Sequence, residues 1–376
     1  MDTKKRESLV QARRVVLKIG SQLLAQANGM PDEEQVRSFA EEISSIVKQG
    51  KEVVVVSSGA IAYGREALGW GEARSVAESQ MLASVGQALL IESHRRELAA
   101  HGLRIGQVLL THRDISHRGS YLNASTTLRT LLANRVVPVI NENDAVGHEE
   151  IRFGDNDMLA ALVAVMVEAD ALILLTQPDG LYDDDPASSP AAKRVVEISS
   201  EEGEGPQIRL DTKSSLGTGG MASKLQAARV AGKGGVPVVI ASGRVKEPIR
   251  RVLEGRDVGT LVVPAKERMI RKRHWVRYGL KEQGEVKLDA GATAAVLAQG
   301  ASILPVGLLS VEGSFQRGDA VSVLSNEGEK IGTGLAAYPS EELVLIAGKR
   351  SAEIEDVLGY KYLEVAIHRD DLIVDT

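Results

Sequence analysis

Two lysines in this 376-residue chain occupy positions where a positive charge is best stabilised by a bound anion. Lys18 falls within the apolar run Val15–Ile19, where burial of an uncompensated cation would be costly. Lys224 follows the glycine-rich run Gly217–Gly220 at the start of a helical pattern, where free backbone N–H groups and the helix dipole attract phosphate. Both positions predict a site for a phosphate-bearing ligand. For Lys18, a side chain that reaches from a strand end into solvent is the alternative.

The glycine-rich run also matches two other nucleotide-binding motifs in part. The spacing Gly217-x-Gly219-x-x-Ala222 fits the dinucleotide-binding fingerprint. However, no strand pattern precedes this run, and no acidic residue ends the next predicted strand at Ile240. A Walker A loop requires glycine, lysine and serine or threonine in direct succession, and that order is missing. We therefore predict a phosphate site of neither type.

Polar side chains also follow the predicted second and fourth strands. The run Ser57–Ala60 ends the second strand and begins a helix, which favours either an anion site or a serine N-cap. The runs Asn141–Asp144 and Gly154–Asp157 together carry four carboxylates and three amides. Such groups suit the ammonium group of an amino acid, a magnesium ion bound through water, or ordinary caps and turns.

Two lysines, glycine-rich loops and carboxylates, without an evident nucleophile or base, favour phosphoryl transfer as the reaction. Its loose transition state needs positioning and charge neutralisation rather than covalent help from the protein. An acceptor that is itself a carboxylate is already ionised at neutral pH and needs no general base. The seven histidines agree with this hypothesis, because they show neither metal-site nor triad spacing.

Short apolar runs that alternate with helical patterns must position these groups. The segment from Glu33 to Gln49 has apolar residues at helical spacing and is followed by Gly50, which predicts a helix that ends there. Strands separated by helices predict a mostly parallel sheet covered on both faces, with ligands bound beyond the carboxyl ends of its strands. The predicted strands are Val15–Ile19, Val53–Val56, Ile105–Leu110, Val136–Ile140, Leu172–Leu175, Val236–Ile240 and Leu261–Val263.

The pattern changes after about residue 280 to short β-like runs separated by glycines, which predicts a small, mainly β domain. A helix is predicted near Ala290–Gln299. We therefore divide the chain into an α/β domain (1–266), a basic linker (267–283), a mainly β domain (284–362) and a tail (363–376). The strands predicted in the second domain are Glu285–Leu288, Ile303–Val306, Ala320–Leu324, Lys330–Leu335 and Leu343–Ala347.

The composition excludes several classes of protein. With 43% hydrophobic and 26% charged residues, the chain is typical of a folded globular protein. It contains no cysteine, which excludes disulfides and thiolate chemistry and favours the cytoplasm. The charged N-terminal segment predicts neither a secretory signal nor an anchor. The uncharged stretch Ala290–Val311 contains Pro305 and three glycines, so we do not expect it to span a membrane.

Charge is distributed unevenly along the chain. Residues 285–376 hold 7 Lys/Arg and 15 Asp/Glu, a balance of -8, whereas the whole chain carries -6. Binding to a nucleic-acid backbone needs clustered cations, so we expect no strong RNA binding by this acidic part. The segment Lys266–Arg277, with six Lys/Arg and one Glu, predicts a solvated linker, with an RNA contact as the alternative.

Five blocks of the sequence resemble the amino acid kinase family, most closely its glutamate-phosphorylating members. They are Val16–Ser21, Ser57–Ala62, Pro138–Asp144, Gly154–Asp157 and Gly217–Lys224. The acidic C-terminal part, with Asp289–Ala292 and Gly313–Asp319, is similar to a PUA domain. The resemblance implies a three-layer α/β/α amino acid kinase fold with a mostly parallel central sheet, followed by a small, mainly β PUA-like domain.

The resemblance also implies the reaction and the residues that carry it. Such a protein moves the γ-phosphoryl group of ATP, with Mg²⁺ on the nucleotide, to the side-chain carboxylate of L-glutamate, the first step of proline biosynthesis. Lys18 and Lys224 would neutralise charge on the migrating phosphoryl group, and Asp157 would hold both lysines. The glutamate contacts correspond to Ser58, Asp144 and Asn156. The ATP contacts correspond to Lys18, Gly20, Ser21, Thr176, Gln177, Thr218, Gly219, Gly220, Met221, Ala222, Ser223 and Lys224. Metal ligands are not assigned.

The chain departs from the family pattern in two places. The family usually has Thr-Asp before a Gly-Leu-Tyr turn, where this chain has Thr176-Gln177, and the acidic segment Ser199–Gln207 is unlike the usual helical stretch. Another substrate on the same fold is therefore one alternative, and an RNA-binding accessory protein is an alternative of a different class. The family implies feedback by proline, and we expect a homo-oligomer, although the sequence indicates neither an effector site nor a subunit number.

Overall fold

A computed structural model describes residues 4–26, 28–146, 156–184, 189, 191–201, 220–265 and 280–375. The chain divides into two compact units, Met1–Met269 and Ile270–Thr376. The basic segment Lys266–Arg277 lies outside the described residues, so the predicted linker stays a prediction. Within the described ranges, no helix is both long enough and apolar enough to cross a membrane.

The first unit alternates strands and helices in chain order. Its elements are α1 (Lys4–Val10), β1 (Arg14–Ile19), α2 (Glu33–Lys48), β2 (Glu52–Ser57), α3 (Ala60–Leu68), α4 (Val76–Ala100), β3 (Arg104–Leu110), α5 (His112–Ser116), α6 (Arg118–Ala133), β4 (Val136–Glu142), α7 (Asn156–Met166), β5 (Ala171–Thr176), β6 (Leu181–Tyr182), β7 (Arg194–Val195), β8 (Glu197–Ser199), α8 (Met221–Lys233), β9 (Val238–Ser242), α9 (Pro248–Leu253) and β10 (Thr260–Val263). Every predicted strand of this unit overlaps an observed one, and α2 matches the predicted helix.

A single sheet forms the centre of the first unit. Its strand order is β3-β4-β2-β1-β5-β9-β10-β8, and only the pair β9 and β10 is antiparallel among these neighbours. The β5 sequence is buried at every position, as expected for a parallel strand that is covered on both faces. The prediction of a mostly parallel, doubly covered sheet is confirmed.

The two faces of β1 contact different layers. Val15, Leu17 and Ile19 belong to the hydrophobic core on one face. Because successive side chains of a strand point to opposite faces, Lys18 faces the other side, where α7 packs on β1. Lys18 is also flanked in register by Val56 of β2 and Leu174 of β5. Its ammonium group is therefore placed in the buried layer between the sheet and α7.

The second unit is a separate, smaller sheet with short helices. Its elements are β11 (Gly284–Leu288), α10 (Ala290–Gln299), β12 (Leu308–Gly313), β13 (Ala320–Leu324), β14 (Lys330–Leu335), α11 (Ser340–Ile346), α12 (Ile354–Leu358) and β15 (Leu372–Val374). The strand order is β12-β11-β13-β14-β15, antiparallel except for the pair β11 and β13. The prediction of a mainly β domain with a helix at Ala290–Gln299 is confirmed.

Two strand predictions in the second unit are wrong. Ile303–Val306 does not form a strand, because Pro305 begins a 3-10 turn that leads into β12. Leu343–Ala347 lies largely in helix α11, where Leu343 and Ile346 are buried at helical spacing while Val344 and Leu345 are 56% and 57% exposed. A short apolar run fits either a strand or a buried helix, and here two glutamates in the first turn, near the positive end of the helix dipole, favour the helix.

The last strand comes from the segment that the sequence assigned to a tail. Leu372–Val374 pairs with β14, and Ile367 forms a β-bridge with Ile303. Three apolar residues are too few to predict a strand from the sequence. Their pairing partner, β14, is also too distant in the chain to indicate a hairpin. This part of the tail belongs to the small sheet.

Candidate active site

Two lysines and one aspartate meet in the buried layer between the sheet, α7 and α8. Lys18 Nζ lies 2.6 Å from Asp157 Oδ1, and Lys224 Nζ lies 3.0 Å from Asp157 Oδ2. Asp157 is 0% exposed, and the two lysines are 3% and 8% exposed. The structure therefore brings together the three residues that the sequence assigned to catalysis.

Local structure explains how each of these residues reaches the site. Lys18 is the penultimate residue of β1, and Asp157 is in the first turn of α7. Lys224 is in the first turns of α8, which begins after an extended Gly220 with φ -69° and ψ 176°. Because α7 and α8 pack against each other on the same face of the sheet, all three side chains converge.

The charges of this cluster favour an anion. Two ammonium groups and one carboxylate give it a formal charge of +1 in a place nearly closed to water. Buried cations are costly unless they are paired, and a low-dielectric setting strengthens their attraction for negative charge. A phosphoryl group carries a charge of that sign.

An amide chain lies next to the charged cluster. Asn156 Nδ2 donates hydrogen bonds to Ser58 Oγ at 2.7 Å and to Asn141 Oδ1 at 2.9 Å. Asn141 Nδ2 donates in turn to Gln87 Oε1 at 2.8 Å. Asn156 and Asp157 are adjacent residues, so the amide chain and the charged cluster share the N-terminus of α7. Two of the predicted glutamate contacts, Ser58 and Asn156, are thus in direct contact.

Two carboxyl groups, one on the last residue of β4 and one just after it, have raised pKa values. Burial raises the pKa of Asp144 to about 6. Burial, and to a smaller extent the neighbouring Asp144, raises the pKa of Glu142 to about 7. Since β4 pairs in parallel with β2, these groups emerge at the same edge of the sheet as Ser58.

Three of the predicted nucleotide contacts lie at the ends of the neighbouring strands β1 and β5. A Cβ on Gly20 would lie 3.3 Å from the carbonyl oxygen of Leu175, which is a tight contact, and 3.8 Å from Lys18 Nζ, which is an ordinary one, so Gly20 lies directly beside the lysine. Thr176 ends β5, Gln177 follows it, and both contact the end of β9: Gly243 N donates to the Thr176 carbonyl and Ser242 Oγ to the Gln177 carbonyl, both at 2.8 Å. Gln177 itself is exposed.

Some of the remaining predicted nucleotide contacts are among the described residues and others are not. Ser21 begins a 3-10 turn directly after Gly20, and Met221, Ala222 and Ser223 form the first turn of α8, where Ser223 Oγ donates to the Gly220 carbonyl at 2.9 Å. Thr218 and Gly219 lie outside the described residues, as do Gly154 and Asp155.

Sequence reasoning missed two polar residues of α4 that contact this region. They are Gln87, which accepts from Asn141, and His94, whose Nε2 is hydrogen-bonded to Ser57 Oγ at 2.9 Å. Burial lowers the pKa of His94 to about 4, so its ring is neutral at neutral pH. Their spacing of seven residues on one helix face was the available signal, but it does not say what that face contacts.

Comparison with known proteins assigns both parts of the chain to families. A profile of the amino acid kinase family matches residues 13–242, and a profile of the PUA domain matches residues 284–358. The chain is 43% identical to a glutamate 5-kinase of Trichlorobacter lovleyi over 99% of both chains. It is 45% identical to the glutamate 5-kinases of Chromohalobacter salexigens, over 98% of both chains, and of Thermus thermophilus, over 96% of this chain and 97% of the relative.

Proposed function

The chain belongs to the amino acid kinase family and, within it, to the glutamate 5-kinases, and on that premise we propose that it phosphorylates L-glutamate with ATP. An oxygen of the side-chain carboxylate attacks the γ-phosphorus, the bond to the bridging oxygen breaks, and ADP leaves. The products are L-glutamyl 5-phosphate and ADP, and the reaction is the first step of proline biosynthesis. The meeting of Lys18, Asp157 and Lys224 is the observation that carries this proposal.

Lys18 and Lys224 neutralise the charge of the migrating phosphoryl group in this mechanism. Both act from within a nearly closed layer, where fixed charges stabilise a transition state more strongly than they would in water. Asp157 binds both ammonium groups and so keeps them at one place, with one oxygen for each. No side chain has to remove a proton, because the attacking carboxylate is already ionised.

Glutamate recognition is assigned to Ser58, Asn156 and Asp144. The Ser58 hydroxyl accepts from Asn156, so its own proton can be donated to a carboxylate of the substrate. Asn156 Oδ1 is buried and has no hydrogen-bond partner in the described part of the chain, and it suits the ammonium group of an amino acid. An ionised Asp144 adds the negative charge that an ammonium group requires.

Magnesium fits this site as an ion carried by the nucleotide. The residues that the structure describes contain no group of three or more histidine, aspartate or glutamate side chains arranged to hold a metal ion. Kinases commonly hold Mg²⁺ through substrate phosphates and one or two carboxylates, so the phosphates of ATP would supply most of the ligands. When bound, the ion neutralises charge on the phosphate oxygens. Gly20, Ser21, Thr176, Gln177 and residues 218–224 would surround the nucleotide.

A substrate panel tests the proposed function. We expect ADP release from ATP and Mg²⁺ to require L-glutamate, with trapping of the acyl phosphate by hydroxylamine as a second readout. Aspartate, N-acetylglutamate and UMP serve as competing acceptors. Activity with one of these acceptors and none with glutamate would overturn the assignment in favour of another substrate on the same fold.

The pH dependence of glutamate binding tests Asp144. A raised carboxyl pKa means that the group takes up a proton as the pH falls through about 6, and the protonated form no longer attracts an ammonium group. We therefore expect the KM for glutamate to rise as the pH falls, by about tenfold per pH unit below pH 6. Steady-state kinetics between pH 5 and 8.5 measure this dependence.

Asp144→Asn is the matched variant for this experiment. It should raise the KM for glutamate at every pH and flatten its rise in acid, whereas Asp356→Asn, at an exposed position of the second unit, should leave the wild-type profile unchanged. A wild-type KM that stays constant from pH 8 to pH 5 would contradict the role of Asp144.

Four further properties remain sequence predictions. These are feedback by proline, a homo-oligomeric state, a cytoplasmic location and weak or absent RNA binding by the PUA domain. The acidic balance of residues 285–376 supports the last of them. A fluorescence titration with RNA at two salt concentrations tests it, because binding driven by phosphate contacts must weaken as salt rises.

A further inference from the structure

Helix α4 delivers two polar side chains to the carboxyl ends of two neighbouring strands. Gln87 accepts from Asn141, which is in β4, and His94 is hydrogen-bonded to Ser57, the last residue of β2. The two residues of α4 are seven positions apart, or about two helical turns, so they project from the same face of the helix. That face meets the edge of the sheet where the glutamate contacts lie.

Close packing of α4 against α3 fixes the position of Gln87. A Cβ on Gly86 would lie 1.8 Å from the carbonyl oxygen of Ala60, and a Cβ on Gly64 would lie 2.0 Å from that of Leu82. Only glycine allows the two backbones to come this close. Gln87 follows Gly86 directly, so its backbone is held against the first turn of α3, immediately after Ser58 and Gly59.

The hydrogen bonds that connect Gln87 to Ser58 start from one donor, Asn156, which donates to Ser58 and to Asn141, and Asn141 donates in turn to Gln87. Gln87 provides an acceptor, so Asn141 directs its Nδ2 toward Gln87 and its Oδ1 toward Asn156. Asn156 must then direct its Nδ2 toward Asn141 and Ser58. Without the acceptor on Gln87, the Asn141 amide could turn over and present N–H groups to Asn156.

This arrangement of donors and acceptors determines which groups remain available to a ligand. Both N–H groups of Asn156 Nδ2 are used within the chain, so its Oδ1, which is buried and without a partner among the described residues, is left to accept. Ser58 Oγ accepts from Asn156, so its proton is left to donate. If the Asn141 and Asn156 amides were turned over, N–H groups would face the ammonium group and its binding would weaken.

We propose that Gln87 is a positioning residue that orients the Asn141 and Asn156 amides and thereby determines the affinity for glutamate. It does not touch the reacting atoms. This inference rests on the proposed function, since it concerns the same substrate site. Nothing in it requires a change in ATP binding or in the transfer step.

A double-mutant cycle tests the proposal. Gln87→Met removes the acceptor at similar side-chain volume, and we expect the KM for glutamate to rise about tenfold, the usual effect of losing one buried hydrogen bond. The turnover number and the KM for ATP should change by less than about twofold. Asn141→Leu should raise the KM for glutamate at least as much, and the double variant should match Asn141→Leu, because the two residues act through one contact.

Two more variants separate positioning from a general structural role. Gln87→Glu keeps an acceptor for Asn141 and should restore most of the affinity, and Gln299→Met, the same substitution on exposed helix α10, should be silent in every assay. Thermal unfolding of each variant accompanies the kinetics. An unchanged KM for glutamate in Gln87→Met overturns the inference. A Gln87→Met variant in which turnover and thermal stability fall while the KM values for glutamate and ATP both rise would also overturn it. So would additive effects in the double variant.

The same experiment distinguishes this inference from the proposed function. Wild-type protein without glutamate-dependent ADP release would overturn the proposed function and the inference that rests on it. An active wild type with a normal Gln87→Met variant would overturn the role of Gln87 alone.

Discussion

Lys224→Ala is expected to lower the turnover number for glutamate-dependent ADP formation by about 10²-fold or more, the usual effect of losing one preorganised charge partner of the transition state. The variant should stay folded, because Lys18 remains 2.6 Å from Asp157 and the buried carboxylate keeps a cation. The KM for glutamate should change little, since Ser58 and Asn156 do not depend on Lys224 for their hydrogen bond. Steady-state kinetics and thermal unfolding measure these quantities together.

Lys233→Ala is the matched control for this prediction. Lys233 ends the same helix, so the substitution removes one positive charge from α8 at its other terminus. Its turnover should stay within about twofold of wild type. A Lys224→Ala variant that is folded and turns over at the wild-type rate would remove Lys224 from the mechanism, and with it the idea of two lysines that share one phosphoryl group.

The sequence predicts the sheet of the first unit well because its strands are buried on both faces. The runs that became β2 and β5 are continuous stretches of Val, Ile and Leu, and the run that became β1 is interrupted only by Lys18. Such runs are too short for a typical helix and too apolar for a strand that is exposed on one face. The edge of the sheet at which a ligand is expected follows from the parallel strand order alone. In the second unit the apolar runs are short and lie beside turns, so Leu343–Ala347 could not be told from a strand.

The candidate site is only partly predictable from residue types. Spacing indicates that Lys18 and Lys224 suit anions, but it does not show that Asp157 lies between them. That depends on α7 and α8 lying on the same face of the sheet, and the resemblance to a family supplied it. Gln87 had no such support, because a polar residue in an amphipathic helix usually faces solvent. Only the close approach of α3 and α4 at Gly86 brings it to the site.

Asp157→Asn is the variant with the second large expected effect, and it acts on stability as well as on rate. Removal of the carboxylate leaves two buried ammonium groups facing each other, and breaking a buried ion pair from one side costs about 3–5 kcal/mol of unfolding free energy. Turnover should fall by about 10²-fold or more, because the two lysines lose the group that holds them at one place. Denaturant unfolding and steady-state kinetics measure both effects.

Asp257→Asn is a control that differs mainly in burial. Asp257 also binds two cations, Arg194 at 2.9 Å and Arg6 at 3.7 Å, but its side chain is 45% exposed. Water screens such a pair, so its loss should cost about 1 kcal/mol or less and leave turnover unchanged. Equal destabilisation by the two substitutions would show that burial does not set the strength of the Asp157 contacts.

The response to anions gives the Asp157→Asn variant a further, independent readout. An anion bound between the two lysines would replace the missing negative charge, so inorganic phosphate or ADP should raise the melting temperature of this variant more than that of the wild type. The double variant Asp157→Asn/Lys224→Ala should lose this added response, because it retains a single ammonium group. Equal anion-induced shifts in wild type, single and double variants would mean that the lysines do not bind the phosphoryl group together, however close they lie in the folded chain.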